Sequence, residues 1–277
     1  FKRWNEKAFG RIRVSYSPRF VISCTERLLQ EVAREAKKDG ALIHTHASEN
    51  LKEIQLVKEL VGCENVEYLH QLGLTSPKLV LAHCIWLKPN EKEILRKTDT
   101  KVVHCPSSNL KLASGLAHVP DMRARGIPVA LGADGAPCNN NLSMFTEMRL
   151  AALIHKPGNG PKAMRAQEVL DMATIDGAKA LNWENDIGSI EVGKKADLIV
   201  LDLNQPTNLL PAHSALRLES IASSIVYSTS SADLRWTMVD GRRIFENGKM
   251  QALSTARLLQ LVTKAQERIY RSMSIRK

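Results

Sequence analysis

Three apolar stretches of this sequence each end in a side chain that can bind a metal ion. The stretches and the residues that end them are 41–43 with His44 and His46, 78–82 with His83, and 127–133 with Asp134. Each stretch has the length and apolar content of a buried parallel strand. His44 and His46 point to the same face, because side chains alternate along a strand with a period of two. Imidazoles and a carboxylate at the tips of parallel strands predict a site for Zn²⁺ or Fe²⁺.

Glu49 follows His46 by three residues and adds a carboxylate that could exchange protons with a metal-bound water. A plainer role is also open, because an acidic residue in the first turn of a helix complements the helix dipole. The two roles are compatible. A single histidine on an apolar strand is usually a hydrogen-bonded core residue. The agreement of three strand ends is what indicates a metal site.

Strand-like and helix-like stretches alternate along most of the chain. The predicted strands cover residues 11–16, 41–46, 78–82, 101–103 and 127–133. The predicted helices cover 25–38, 49–61, 66–72, 120–125, 142–155 and 167–181, with one more that begins at Pro89, and loops fill 104–117 and 157–161. This alternation is typical of a parallel α/β sheet or barrel.

The sequence changes character after about residue 185. Residues 188–202 combine a turn with an apolar strand, and residues 235–246 have the pattern of a hairpin turned at Asp240-Gly241. Residues 255–271 have the spacing of an amphipathic helix. We therefore predict an α/β part at 1–185, part of a small β domain at 186–250 and a C-terminal helix at 251–277.

Composition narrows the class of protein further. Of the 277 residues, 44% are hydrophobic and 25% charged, as in ordinary globular proteins. The net charge of +10 is dispersed, and aromatic residues make up only 5%, so we expect no nucleic-acid partner. No apolar run reaches the length of a membrane span, about 18 residues. The five cysteines are odd in number and lack C-x-x-C spacing, which indicates a cytoplasmic location without disulfides.

At these residues the chain resembles the amidohydrolase superfamily, in the branch of hydrolytic deaminases and chlorohydrolases that act on purines and triazines. The matching motifs are His44-Thr-His-Ala-Ser-Glu49, Leu81-Ala-His-Cys84, His104-Cys-Pro-Ser-Ser-Asn109, Lys111-Leu-Ala-Ser-Gly115, Leu131-Gly-Ala-Asp-Gly135, Met172-Ala-Thr-Ile-Asp-Gly-Ala-Lys-Ala180 and the stretches 139–152, 188–202 and 239–241. Together they cover nearly the whole chain in order. The resemblance implies the C-terminal part of a (β/α)8 metal-dependent hydrolase barrel, strands four to eight, with part of a small β-sandwich domain.

The resemblance also implies catalytic roles for these residues and one divalent metal ion, with zinc expected in preference to iron. His46 and Asp134 would be metal ligands, and Asp134 would also take a proton from the metal-bound water. His83 would orient that water, and Glu49 would protonate the ring nitrogen of the substrate. Metal-bound hydroxide would attack the ring carbon of a small N-heteroaromatic substrate, and ammonia would leave.

Other residues in the motifs would support the site without touching the metal. His44 and Asn109 would lie behind the ligands, and His104 and Ser108 would shape the pocket loop. The resemblance further implies a homo-oligomer, although no residue of the sequence identifies an interface.

One part of the family pattern is absent. The family carries another His-x-His pair on the first barrel strand, whereas His44-Thr-His46 is the only such pair here. A barrel cannot close on half of its strands. We therefore expect the chain to be the C-terminal fragment of a longer enzyme, and we expect it to be inactive and to bind metal weakly on its own.

Two features point to different substrates. Arg19 and Phe20 lie in a stretch that is similar to the one guanine deaminases use to hold the purine carbonyl, which an arginine suits as a donor. Residues 132–140 and 147–149 are more similar to deaminases of adenine nucleosides, namely methylthioadenosine, S-adenosylhomocysteine or 5′-deoxyadenosine. The longer match favours the adenine nucleosides. Guanine or oxidised guanine stays open as an alternative.

Two further classes share these motifs. A triazine chlorohydrolase or aminohydrolase would differ only in its leaving group. A non-catalytic relative would be expected to lose its ligands, and His46, His83 and Asp134 are all present.

Overall fold

The computed structural model describes residues 1–208, 210 and 214–274. Its strands are β1 (Ile43–Ala47), β2 (Leu79–His83), β3 (Lys101–His104), β4 (Val129–Leu131), β5 (Leu198–Leu201), β6 (Leu234–Val239), β7 (Arg242–Glu246) and β8 (Lys249–Met250). Its helices are α1 (Lys7–Gly10), α2 (Glu26–Asp39), α3 (Leu51–Val61), α4 (Asn65–Gln71), α5 (Pro89–Thr98), α6 (Pro106–Lys111), α7 (Val119–Ala124), α8 (Ala136–Asn139), α9 (Met144–Ile154), α10 (Lys156–Asn159), α11 (Ala166–Ala173), α12 (Ile175–Ala180), α13 (Ser214–Tyr227) and α14 (Thr255–Ser274).

Strands β1 to β4 form one parallel sheet in the order of the sequence. The pairing of β1 with β2 runs from Ile43 opposite Leu79 to Ala47 opposite His83. Parallel neighbours need crossover connections, and helices supply them between successive strands. The predicted α/β class is confirmed, and the four strands end at one edge of the sheet.

Helix α2 illustrates how local signals place the strands. The hydroxyl of Thr25 accepts a hydrogen bond from the Leu28 backbone N–H at 3.3 Å, and Gly40 ends the helix in the left-handed conformation with φ of 64°. Leu29 and Ala36 on its inner face are buried in the main hydrophobic core. The turn at Gly40 then leads the chain into β1.

The predicted strand at 11–16 is wrong in extent. Only Tyr16 pairs with β1, through a single bridge. Two residues later Pro18 has no backbone N–H to donate, so a regular ladder cannot continue. Contact with β1 resumes at Arg19, whose carbonyl accepts from the His46 backbone N–H at 3.1 Å. The segment therefore lies along the edge of the sheet without forming a fifth strand.

Some predicted loops and helices are also wrong in extent, and α10 overlaps the predicted loop 157–161. The predicted loop 104–117 contains α6, which begins at Pro106, a residue suited to the first position of a helix. The predicted helix 167–181 is divided into α11 and α12 at Thr174, whose φ and ψ are −124° and −96°. The hydroxyl of Thr174 donates to a carbonyl of the preceding turn at 2.7 Å, which competes with continuation of the helix.

Strands β5 to β8 form a separate antiparallel sheet, again in sequence order. The predicted hairpin is confirmed as β6 and β7, joined by Asp240 and Gly241 with φ of 50° and 75°. Both residues lie in the left-handed region, as a two-residue type I′ turn requires. Across the ranges described above, no helix is long and apolar enough to cross a membrane.

Candidate active site

His46 lies on β1 with one ring nitrogen already engaged. Its Nδ1 is 2.7 Å from the Arg19 carbonyl oxygen. Because a carbonyl can only accept, Nδ1 carries the proton, and the lone pair of the neutral ring is on Nε2. A backbone carbonyl on one nitrogen is the usual way in which a metal-binding histidine is oriented. The edge segment that failed to form a strand thus fixes the tautomer of His46.

His83 ends β2 in a strained backbone conformation. Its φ is 73°, and that of Cys84 is 48°, so two successive non-glycine residues lie in the left-handed region. The ring is 1% exposed, and its Nδ1 is 2.8 Å from Oδ1 of Asn109. With Oδ1 as the acceptor, His83 carries its proton on Nδ1 and turns Nε2 toward Glu49, whose carboxylate lies 3.9 Å away.

Asp134 follows β4, also with a left-handed φ of 59°. Its two oxygens accept hydrogen bonds from the Ser108 hydroxyl at 2.5 Å and from the Gly135 backbone N–H at 2.6 Å. Burial raises the pKa of this carboxyl, but the two hydrogen bonds and the imidazoles of His46 and His83 outweigh burial and hold its pKa below the ordinary value. Asp134 is therefore ionised at neutral pH.

These three side chains meet at the carboxyl edge of the parallel sheet. A ring nitrogen of His46, a ring nitrogen of His83 and a carboxylate oxygen of Asp134 all lie within 4.8 Å of one another. The rings of His46 and His83 are stacked with centroids 5.5 Å apart. Two imidazole nitrogens and an ionised carboxylate are a donor set that suits Zn²⁺ or Fe²⁺, so the residues present fit a divalent metal.

Glu49 is held beside this cluster by two residues that the sequence analysis missed. The hydroxyl of Ser114 donates to its carboxylate at 3.2 Å. The buried carboxylate of Glu53 accepts from the backbone N–H groups of Ser48 and Glu49, at 3.1 and 2.7 Å. Only the motif 111–115 hinted at Ser114, and Glu53 had the pattern of an ordinary helix residue.

Arg19, Phe20 and His44 lie at different distances from the cluster. The Phe20 ring is edge-on to His46 with centroids 6.4 Å apart, and the guanidinium of Arg19 lies 5.4 Å from the centroid of the Phe20 ring. His44 lines a cavity of about 610 Å³ together with Val80 and Val103, and it is not part of the metal-competent cluster. The pKa of His44 is lowered mainly because its ring is shielded from solvent, and to a smaller extent because His46 and His83 are nearby.

A second histidine pair is enclosed near the ends of β3 and α9. His104 and His155 are 0% and 2% exposed, and their ring centroids are 5.3 Å apart. The pKa of His104 is lowered to about 3, mainly by burial and to a smaller extent by His155 and His83. The pKa of His155 is lowered to about 4, mainly by burial and to a smaller extent by His118. Both rings are therefore neutral when the protein is folded at neutral pH.

We expect acid to destabilise the fold through this pair. An unfolded histidine has a pKa of about 6.5, so unfolding takes up protons once the pH falls below that value. The free energy of unfolding should be flat above about pH 7 and should fall below it by up to about 1.4 kcal/mol per pH unit for each histidine. Urea unfolding at a series of pH values measures this slope. The substitution His155→Gln should flatten it, whereas His70→Gln, at an exposed position, should not; equal slopes in all three proteins would contradict the assignment.

Comparison with known proteins places this geometry in a family. Residues 2–244 match the Amidohydrolase family. The 5′-deoxyadenosine deaminase of Methanosarcina acetivorans is 40% identical over 269 residues, which are 97% of this chain and 60% of that protein. The 5-methylthioadenosine/S-adenosylhomocysteine deaminase of Caldanaerobacter subterraneus is 40% identical over 272 residues, 98% of this chain and 61% of that protein. The chain thus spans about three fifths of the length of these relatives.

Solved structures show the same fold. An adenosine deaminase of Xanthomonas campestris with bound zinc is 28% identical, with a TM-score of 0.89 over 96% of this chain and 59% of that one. The atrazine chlorohydrolase TrzN of Arthrobacter aurescens, complexed with zinc, is 25% identical, with a TM-score of 0.84 over 95% and 57%. The guanine deaminase of E. coli is 28% identical, with a TM-score of 0.79 over 89% and 57%. On the extent of the family match, this chain belongs to the amidohydrolase family.

Proposed function

We propose that the protein to which this chain belongs is a metal-dependent hydrolytic deaminase of adenine nucleosides, such as 5′-deoxyadenosine, methylthioadenosine or S-adenosylhomocysteine. The observation that carries the proposal is the meeting of His46, His83 and Asp134 at one sheet edge, with Glu49 beside them. The names of the relatives at 40% identity support the choice of substrate class.

His46 and Asp134 are the proposed holders of the metal, through Nε2 and the carboxylate. A divalent ion there would supply a water whose pKa is lowered toward about 7. Asp134 is already ionised and accepts two hydrogen bonds, so it can receive a proton from water without losing its orientation. We assign it that role.

His83 and Glu49 are the proposed partners of the substrate ring. Nε2 of His83 is free to hydrogen-bond the attacking water, because Asn109 engages Nδ1. Protonated Glu49 would donate its proton to a ring nitrogen as the water oxygen bonds to the amino-bearing carbon, while Asp134 takes one proton from that water. The resulting Glu49 carboxylate would then take the proton left on the bound oxygen and pass it to the amino group. The carbon–nitrogen bond breaks, ammonia leaves, and the ring keeps the oxygen as a carbonyl. The proton on Asp134 then returns to Glu49 through solvent.

The chain covers about three fifths of the length of its relatives, so we do not expect it to contain every residue of the active site. We propose that further metal ligands and the groups that bind the sugar or thioether lie in the rest of the protein. We also propose that this chain divides into structural parts near residues 185 and 250. For the whole protein we propose a homo-oligomer in the cytoplasm.

Ammonia release by the whole protein tests the substrate class. With zinc supplied, we expect kcat/KM for the adenine nucleosides to exceed that for guanine by at least about 100-fold, since a site built for one pattern of hydrogen bonds rejects another. The assay also includes atrazine with chloride detection. Turnover of guanine alone, or chloride release alone, would contradict the proposal.

Guanine remains the second candidate because of one local feature. Arg19 and Phe20 lie beside His46, so a guanidinium donor is near the proposed reaction centre. The substitution Arg19→Met should lower guanine turnover at least about tenfold if Arg19 binds the purine carbonyl. If adenine nucleosides are the substrates, it should leave their kcat within about threefold.

A further inference from the structure

We propose that Glu147, on α9, is a positioning residue that fixes the two loops carrying Asp134 and the support of His83. This inference rests on the proposed function for the roles of those two groups. Glu147 is fully buried, and the hydrogen bonds that its carboxylate accepts within the described residues come from neutral donors. Its carboxylate accepts from the Ser107 backbone N–H at 3.0 Å and from the Asn139 side-chain amide at 2.7 Å.

The first bond anchors the start of α6. Ser107 lies in the first turn of that helix, and the next two residues are Ser108 and Asn109. Ser108 holds Asp134 at 2.5 Å, and Asn109 holds Nδ1 of His83 at 2.8 Å. A displacement of Ser107 would therefore move the supports of both proposed catalytic groups together.

The second bond anchors the loop after β4. The side-chain amide of Asn139 also donates to the Ala133 carbonyl at 2.8 Å, one residue before Asp134. Its Oδ1 accepts from the backbone N–H groups of Asn141 and Leu142, at 3.0 and 2.7 Å. Asn139 thus closes the loop on itself, and Glu147 ties the closed loop to α6.

A carboxylate suits this position because both of its oxygens accept. Glutamine has nearly the same shape but offers one acceptor and one donor, so its amide would face either the Ser107 N–H or the Asn139 amide. Burial of an acid that only neutral groups contact is costly. Small displacements of reacting groups can lower a reaction rate by about 100-fold. We expect an effect of up to this size when the hydrogen bonds of Glu147 are lost.

Glu91 on α5 provides a matched control. It is also fully buried, and its carboxylate accepts from the backbone N–H groups of Val66 and Lys88, at 2.9 and 2.8 Å. These donors belong to α4 and the start of α5, and none of the groups proposed for catalysis contacts them. E91Q thus makes the same Glu-to-Gln substitution at a position remote from these groups, although burial raises the pKa of Glu91 to about 7 and so reduces the charge lost there.

The test compares E147Q with E91Q in the zinc-loaded whole protein. For E147Q we expect kcat to fall about 10- to 100-fold with KM within about threefold, and zinc content to be unchanged. For E91Q we expect a lower urea midpoint with kcat within about twofold of wild type. Loss of stability in E147Q with kcat retained would make Glu147 merely structural and overturn the proposal.

A readout that needs no activity accompanies the kinetics. In the metal-free whole protein, the Nδ1 proton of His83 gives an imidazole NMR signal that reports its bond to Asn109. E147Q should shift or broaden that signal, whereas E91Q should leave it in place; an unchanged signal in E147Q would overturn the proposal. If E147Q does not fold, Asn139→Ala applies the same criteria. If wild type deaminates none of the substrates, the proposed function fails, and this spectrum still tests the anchor.

Discussion

Replacing Asp134 with asparagine is expected to lower kcat of the whole protein by at least about 10³-fold. The amide keeps the shape of the side chain but loses the negative charge, so it binds a divalent metal weakly and cannot take a proton from water. Zinc content of the purified variant should fall along with kcat. Stopped assays of ammonia and elemental analysis of the same preparation measure the two effects.

Asp171→Asn is the control for that substitution. Asp171 lies on α11, does not belong to the metal-competent cluster, and accepts a hydrogen bond from Gln167 at 2.8 Å. We expect this variant to keep the zinc content and kcat of wild type within about twofold. Wild-type kcat in the Asp134→Asn protein would remove Asp134 from the proposed mechanism.

Replacing Glu49 with glutamine is expected to lower kcat by about 10²- to 10⁴-fold, the usual range for loss of a general acid or base. Unlike the change at Asp134, this one should leave the zinc content intact, because Glu49 belongs to no set of metal-competent groups within the described residues. The glutamine oxygen can still accept from the Ser114 hydroxyl. The separation of kcat from metal content is the distinguishing result.

Glu59→Gln serves as the matched control on α3, the helix that follows Glu49 in the sequence. Glu59 is an exposed residue of α3 that accepts from Gln55 at 2.9 Å. Its variant should be indistinguishable from wild type in both kcat and zinc content. Loss of zinc in the Glu49→Gln protein would show that Glu49 binds the metal, contrary to the role assigned here.

The sheet and the cluster could be predicted because their signals are local. Apolar runs that end in His46, His83 and Asp134 fold as parallel strands, and the carboxyl ends of parallel strands share one edge. The structure brings the three side chains together at that edge. Their roles stay predictions, as do the binding roles of Arg19 and Phe20 and the supporting roles of His44 and Asn109.

The supports of the site could not be predicted because they depend on distant parts of the chain. Ser114 and Glu49 are 65 residues apart, and Glu147 and Ser107 are 40 apart. No local pattern reports such pairs, and the pattern of Glu147 is that of an ordinary helix residue. The strand predicted at 11–16 was too long for a different reason: its pattern is regular, but Pro18 follows it and only Tyr16 forms a bridge to β1.

Zinc titration of the metal-free whole protein, with ammonia release from 5′-deoxyadenosine as the readout, tests whether a metal held by His46 and Asp134 is required for deamination. We expect activity to rise in proportion to added zinc and to level off at one equivalent per chain. We expect no such rise after the substitution His46→Ala. Full deaminase activity in the metal-free protein, or an unchanged titration after that substitution, would contradict the proposed roles of the metal and of His46.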